Sequence, residues 1–96
     1  MYAKIHKSGD RNIIAICDES LIGKKFSEGN LILDITERFY KGEVLTGDQT
    51  LELMKDALNL NIVGEKSIAL ALKNGIIEKD SVIKINGVPH AQVYQL

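Results

Sequence analysis

Apolar and polar positions alternate in short stretches along this chain, and no apolar run exceeds four or five residues. The opening stretch YAKIHKS, residues 2–8, alternates loosely and predicts a strand. Ser8, Gly9 and Asp10 supply turn chemistry. In NIIAIC, residues 12–17, everything after Asn12 is continuously apolar and of strand length, a pattern that suits a strand covered on both faces. The two strands are expected to pair as an antiparallel hairpin. Asp18 then stands where it would cap a short turn over residues 19–22, closed by Gly23. KKFSEGN reads as a polar connection with a Gly-Asn turn, and LILDI, residues 31–35, as a third strand. Thr36 is placed to cap a short turn over residues 37–40, which Gly42 ends.

The middle of the chain changes to a helical period. Thr46 and Gln49 have capping-box spacing, and Asp48 suits the positive end of a helix dipole. Leu51, Met54, Ala57 and Leu58 predict one apolar stripe. Leu60 to Val63 reads as a short strand or extended link. Gly64 precedes a second helix, EKSIALALKN, with Lys73 in its last turn and Gly75 at the C′ position. Ile76 is placed for the hydrophobic contact of a Schellman ending. SVIKI, residues 81–85, and VPHAQVYQ, residues 88–95, flank Asn86-Gly87, a type I′ hairpin signal. Strands at both ends and helices between them predict one α+β domain over residues 1–96. Its sheet is mostly antiparallel, with two main helices packed on it and the Asn-Gly hairpin at the C-terminus.

A two-residue turn fixes the hairpin register. Ile85 faces Val88, Lys84 faces Pro89, Ile83 faces His90, and Val82 faces Ala91. His90 therefore shares a face with Ile83, Ile85 and Val88. Pro89 cannot donate to a ladder, so its strand is expected at a sheet edge unless the proline needs no bond there. His90 has two readings. It is a satisfied histidine at the rim of the core, bonded to a carbonyl or to Gln92, or it is a functional imidazole beside a docking edge.

Composition narrows the function classes. Twelve Lys and Arg against thirteen Asp and Glu give a net charge of −1, which argues against gripping free duplex DNA by charge alone. The aromatic set is Tyr2, Tyr40, Tyr94, Phe26 and Phe39, so the core is aliphatic and stacking platforms are few. One cysteine, Cys17, excludes an internal disulfide and a multi-cysteine zinc site. No run is long enough to span a membrane as a helix, and no secretory segment stands at the start, so a reducing cytoplasm is the expected compartment.

Several residues carry candidate chemistry. Cys17 as a nucleophile with His90 as its base makes a thiolate–imidazole pair, with Asp18 or Asp34 orienting the ring. The plainer reading of Cys17 is a small buried hydrophobe. His6 and His90 are too far apart in sequence to suggest a metal site, and the glycine-rich phosphate motifs are missing, so neither metal nor cofactor is expected. Asn61 to Gly64 ahead of a helix forms a junction whose free N–H groups suit an anion, though a tight turn explains the glycine equally well. Arg38 and Tyr40 suit a phosphate or a base, or are simply surface residues.

As a set, these residues resemble a family of short archaeal proteins of unknown function. The resemblance is carried by Met1-Tyr2 with Lys4, by Cys17-Asp18-Glu19 with Leu21 and Gly23, and by Phe39-Tyr40 with Gly42. It continues through Asn61, Val63-Gly64-Glu65, Gly75 and Gly87-Val88-Pro89-His90-Ala91-Gln92. It covers nearly the whole chain, and the last segment is its most specific part. Lys41 departs from the pattern, where a glycine is expected. The resemblance implies a cytosolic archaeal protein with a compact α+β fold and no established activity.

The reading that follows is a non-catalytic binding module for a protein or ribonucleoprotein partner, one associated with translation. Pro89, His90, Gln92, Arg38, Tyr40, Asn61 and Gly64 would line its surface. The alternatives are a small Cys/His enzyme and a structural subunit that dimerises through the hairpin edge.

Overall fold

The computed structural model describes residues 1–94, and the side chains of all of these except Ser8. Gln95, expected at the end of the last strand, lies outside the described residues. Strands β1 (Tyr2–Ser8) and β2 (Arg11–Cys17) form the expected antiparallel hairpin. A 3-10 turn over Glu19–Leu21 leads to β3 (Lys25–Glu28) and β4 (Leu31–Asp34). Next come the short helix α1 (Glu37–Tyr40), the two-residue β5 (Glu43–Val44) and helix α2 (Gly47–Asp56). They are followed by β6 (Asn59–Val63), helix α3 (Glu65–Lys73), β7 (Ile83–Ile85) and β8 (Val88–Tyr94). Six strands form one sheet in the order β5-β1-β2-β6-β8-β7, and β3 and β4 form a separate hairpin. Only β2 and β6 run parallel, so the sheet is mostly antiparallel and the fold is α+β as expected.

The period-two alternation of the central strands sends side chains into two separate cores. Ile14 and Ile16 of β2, Leu60 and Ile62 of β6, and Ala91 of β8 meet Met54, Ala57, Ile68 and Ala71 from the α2 and α3 side. Ala15, Cys17, Val63 and Ile85 face the other way, against Leu33, Ile35 and Tyr40. Both faces of β2 are thus covered, which is why its sequence reads as an unbroken apolar run. Each fully buried Ile or Met in these layers contributes about 1.5–3 kcal/mol by area.

Local signals hold where the bonds are local. The capping box is made: Gln49 N donates to Thr46 Oγ1 at 3.1 Å, and Thr46 N donates to Gln49 Oε1 at 3.0 Å. Thr36 Oγ1 accepts from Phe39 N at the start of α1. The end of α3 is a Schellman motif, with Ile76 N donating to Ala71 O and Gly75 N to Leu72 O. Asn86 and Gly87 have φ of 49° and 82°, as a type I′ turn requires, and Ile85, Lys84 and Ile83 pair with Val88, Pro89 and His90. The pairing stops there: Val82 N bonds to Lys79 O in a 3-10 turn, so Val82 does not face Ala91.

Four further expectations need correction. Lys25–Glu28 is a strand rather than a polar connection, paired residue for residue with β4. The α2 stripe is rotated: Thr50 and Met54 are fully buried, while Leu58 lies beyond the helix end and is exposed. β8 is not an edge strand, because β6 and β7 flank it and the short β7 is the edge. Pro89 is tolerated because, in a two-residue hairpin, the residue opposite Lys84 directs its N side away from β7. On that side β6 has already ended, and only Pro89 O is used, by Gly64 N at 2.9 Å.

The fourth correction concerns Asp18. It makes no side-chain bond to the turn that follows it. Its buried carboxylate instead accepts from Lys66 N (3.0 Å), Ser67 N (2.8 Å) and Ser67 Oγ (2.7 Å), all in the first turn of α3. Gly64, the N-cap residue, has no side chain to do this, and its φ is 110°. A Cβ at Gly64 would fall on the Asp18 carboxyl, 2.7 Å from either oxygen. Asp18→Ala is expected to cost about 2–3 kcal/mol, because it strands buried donors at a helix start. Gly64→Ala is expected to cost a similar amount through overpacking and backbone strain. Urea unfolding measures both, and an unchanged midpoint for Asp18→Ala would remove this assignment.

Candidate functional site

β6 and β8 bring Asn61, His90 and Gln92 together on one face of the sheet. Asn61 pairs with Gln92, and Val63 with His90. Tyr40 reaches the same face from α1. Its hydroxyl donates to Asn61 Oδ1 at 2.6 Å, and His90 Nε2 donates to the same oxygen at 3.2 Å. The shared acceptor fixes the tautomer of His90: Nε2 carries the hydrogen, and Nδ1 is a lone pair. Nδ1 is buried and has no hydrogen-bond partner among the described residues. Burial holds the His90 pKa below its usual 6.5 and pushes the Tyr40 phenol above its usual range, so both groups stay neutral at pH 7.

Beside this row lies a recess of about 120 Å³ lined by Ile13, Phe39, Asn59, Asn61, Gln92 and Tyr94, among others. With both donors taken by its oxygen, the Asn61 amide has Nδ2 left as its donor group. Phe39 is held in turn by His6, whose ring stacks on it at 4.5 Å between centroids while Nε2 donates to Phe39 O at 2.8 Å. Sequence reasoning missed Asn59, Phe39 and Tyr94. The turn position of Phe39 and the strand position of Tyr94 were legible, while Asn59 lies one residue ahead of the expected strand; their convergence depends on β6 lying beside β8.

The other singled-out residues go elsewhere. Cys17, Val63 and His90 share one register row, so the thiol and imidazole strands are two spacings apart, roughly 9–10 Å. The thiol–imidazole pair is not made. Cys17 is fully buried, and desolvation, reinforced by Asp18, pushes its thiol pKa up to about 12. Asp18 is held by α3, and Asp34 is exposed opposite Lys25, so neither orients His90. The helix junction at Gly64 does hold an anion, but it is the chain's own Asp18 carboxylate. Pro89 and Gly64 are buried together at that junction, away from the Asn61 row. Tyr40 is buried and engaged, which removes it as a stacking surface. Arg38 is exposed on α1, where its carbonyl accepts from Lys4 Nζ. No group of His, Cys, Asp and Glu able to hold a metal ion occurs among the described residues. No helix among them is long and apolar enough to cross a membrane.

Fold and site together define a small α+β domain with a hydrogen-bonded Tyr–Asn–His row on one sheet face. Residues 6–96 match the protein family of unknown function DUF424, and the chain belongs to it. A crystal structure described as an uncharacterized conserved protein from Methanopyrus kandleri superposes with a TM-score of 0.84 at 28% identity, covering 99% of this chain and 90% of that one. No curated protein matches the chain. The expected kinship with short archaeal proteins of unknown function is thereby established.

Two measurements check the site. Native protein should resist iodoacetamide near pH 8.5, the ordinary thiol value, and react readily only when unfolded. Fast alkylation of the folded chain would contradict the buried thiol. For His90, the unfolded state binds a proton as pH falls through about 6.5 while the native state does not, so its share of stability is full above that pH and is lost on acidification. His90→Gln should flatten this part of the stability–pH curve, and an imidazole titrating at or above 6.5 by NMR would contradict it.

Proposed function

We propose that the protein is a non-catalytic binding module, with a protein or ribonucleoprotein of the translation apparatus as its partner. The recognition face is the sheet surface around Asn61, His90 and Gln92. The observation that supports this reading is the fixed Asn61 amide. Two donors hold its oxygen, and the residue lines a recess that Phe39 and Tyr94 also line. Such a surface, with amide donors beside apolar rings, suits a peptide group or a base edge. The net charge of −1 favours a protein or a structured ribonucleoprotein over free nucleic acid. Gln92 and Tyr94 are exposed, so their side chains are free to engage a partner at little cost to the fold.

Affinity purification from an archaeal lysate, with and without ribonuclease, tests this. The wild-type chain should retain a partner that Gln92→Ala/Tyr94→Ala loses, while the folded stability of the double variant moves by less than about 0.5 kcal/mol. Retention of the same partners by the double variant would place the recognition face elsewhere. The ribonuclease arm separates a protein from a ribonucleoprotein.

A further inference from the structure

The outer edge of β1 is only partly used. β5 pairs with Tyr2 and Ala3 and no further. Because Ser8 and Arg11 close a two-residue hairpin, Ser8, His6 and Lys4 exchange backbone bonds with β2, while Lys7, Ile5 and Ala3 direct N–H and C=O outward. Ala3 meets Glu43 there. Ile5 and Lys7 meet no strand of this chain among the described residues. This places two adjacent sets of ladder groups beside a groove of about 670 Å³, which lies between β1 and α2.

The cavity floor is apolar, with Ala3, Ile5, Leu45 and Leu53, and Ile5 is 49% exposed. Three carboxylates line it: Glu43, Glu52 and Asp56. Lys4, the one basic lining residue, has its ammonium on Arg38 O. Lys55 pairs with Glu52 at 3.4 Å, but both side chains are largely in water, so that pair is readily exchanged. A lysine or arginine opposite Ile5 fits both features at once, its stem over Ile5 and Leu53 and its head at Glu52 and Asp56. Lys7 is exposed one pair further along the same face, so the residue opposite it is uncharged or acidic.

We propose that the Ile5–Lys7 edge of β1 binds an extended segment of a partner protein as an added strand, with a basic side chain over the acidic groove between β1 and α2. Strand addition of this kind takes affinity from the backbone and specificity from alternate side chains. A second copy of this chain fits poorly. With Ile5 opposite the copy's Lys7, the copy's Gly9 falls opposite Ala3, a place that Glu43 already holds. A slender segment that ends opposite Ile5 stops before both β5 and Gly42, which packs on the Ala3–Lys4 backbone, and has no such conflict. The site lies along the β1 edge, away from the Asn61 row on the face of β6 and β8, and does not depend on it.

The probe is the peptide acetyl-Val-Thr-Val-Arg-amide, which in antiparallel pairing sets Thr opposite Lys7 and Arg opposite Ile5 and ends before the place that Glu43 holds, titrated at low salt with amide NMR detection. Saturable shifts are expected at Ile5, Lys7, Leu45 and Leu53. Replacing the peptide's Arg by Glu should weaken binding at least about tenfold, as should Glu52→Lys/Asp56→Lys in the protein. Lys7→Pro removes an outward N–H but no bond to β2, so it should abolish binding in a chain that still folds. No saturable shift up to millimolar peptide, or equal binding of the Glu peptide, overturns the proposal. So does a dimer in sedimentation that Lys7→Pro dissolves, which would assign the edge to a second copy. If Lys7→Pro fails to fold, the charge-reversed protein and peptide still decide.

Discussion

The rest of the structure depends on one carboxylate. Asp18 follows directly on β2, and its N–H continues the parallel ladder to Val63 O at 3.1 Å. Its side chain accepts from the N–H groups of Lys66 and Ser67, the second and third residues of α3. Those are the donors an N-cap side chain normally satisfies. Asp18 therefore caps a helix that begins 47 residues later in the chain, counting from 18 to Glu65. The negative charge also lies at the positive end of the helix dipole. The contact joins the ends of β2 and β6, fixes where α3 leaves the sheet, and requires that Gly64 carry no side chain. Since α3 supplies Ile68 and Ala71 to the larger core, the packing of that layer follows from this join.

This explains which parts of the fold were legible in the sequence. Thr46 and Gln49, Asn86 and Gly87, and Gly75 and Ile76 act through bonds spanning a few residues, so their spacing is enough to predict the structure. Asp18 carries the same chemistry as Thr46, yet the local pattern assigned it to the wrong helix. The short turn at Glu19 competes for the same cap in sequence and loses it in space, where α3 offers two backbone donors and a serine hydroxyl. Lys25–Glu28 was missed for a related reason. Its polar residues face water on a two-stranded hairpin, so no apolar alternation marks the strand. Leu58 was overcounted because periodicity alone does not say that α2 ends at Asp56.

The candidate site was legible residue by residue but not as an arrangement. Asn61, His90 and Gln92 come together because β6 enters the sheet between β2 and β8, and nothing local in Leu60 to Val63 requires that neighbour. Once it is there, the hairpin register anchored at Asn86-Gly87 sets His90 opposite Val63 and Gln92 opposite Asn61. The Tyr40 hydroxyl then completes the row from the covering layer. Such a row is costly to bury unless each polar atom is paired. Asn61 Oδ1, Tyr40 Oη and His90 Nε2 satisfy one another, and His90 Nδ1 is the atom left over.

The same geometry separates Cys17 from the imidazole of that row. A thiol two strands from the imidazole, facing Leu33, Ile35 and Tyr40, has neither a base nor a solvent path. Its neighbour in sequence, Asp18, raises the thiol pKa further instead of activating it. The Cys-Asp-Glu segment is thus explained by architecture. A small buried residue is needed where the second core is tight, an acid is needed where α3 begins, and Glu19 accepts from the N-terminal amine of Met1 at 3.3 Å. Other polar groups are not consumed by the fold. They lie where a sheet face or a strand edge is left uncovered: the exposed Gln92 side chain on one side, and the outward backbone of Ile5 and Lys7 on the other.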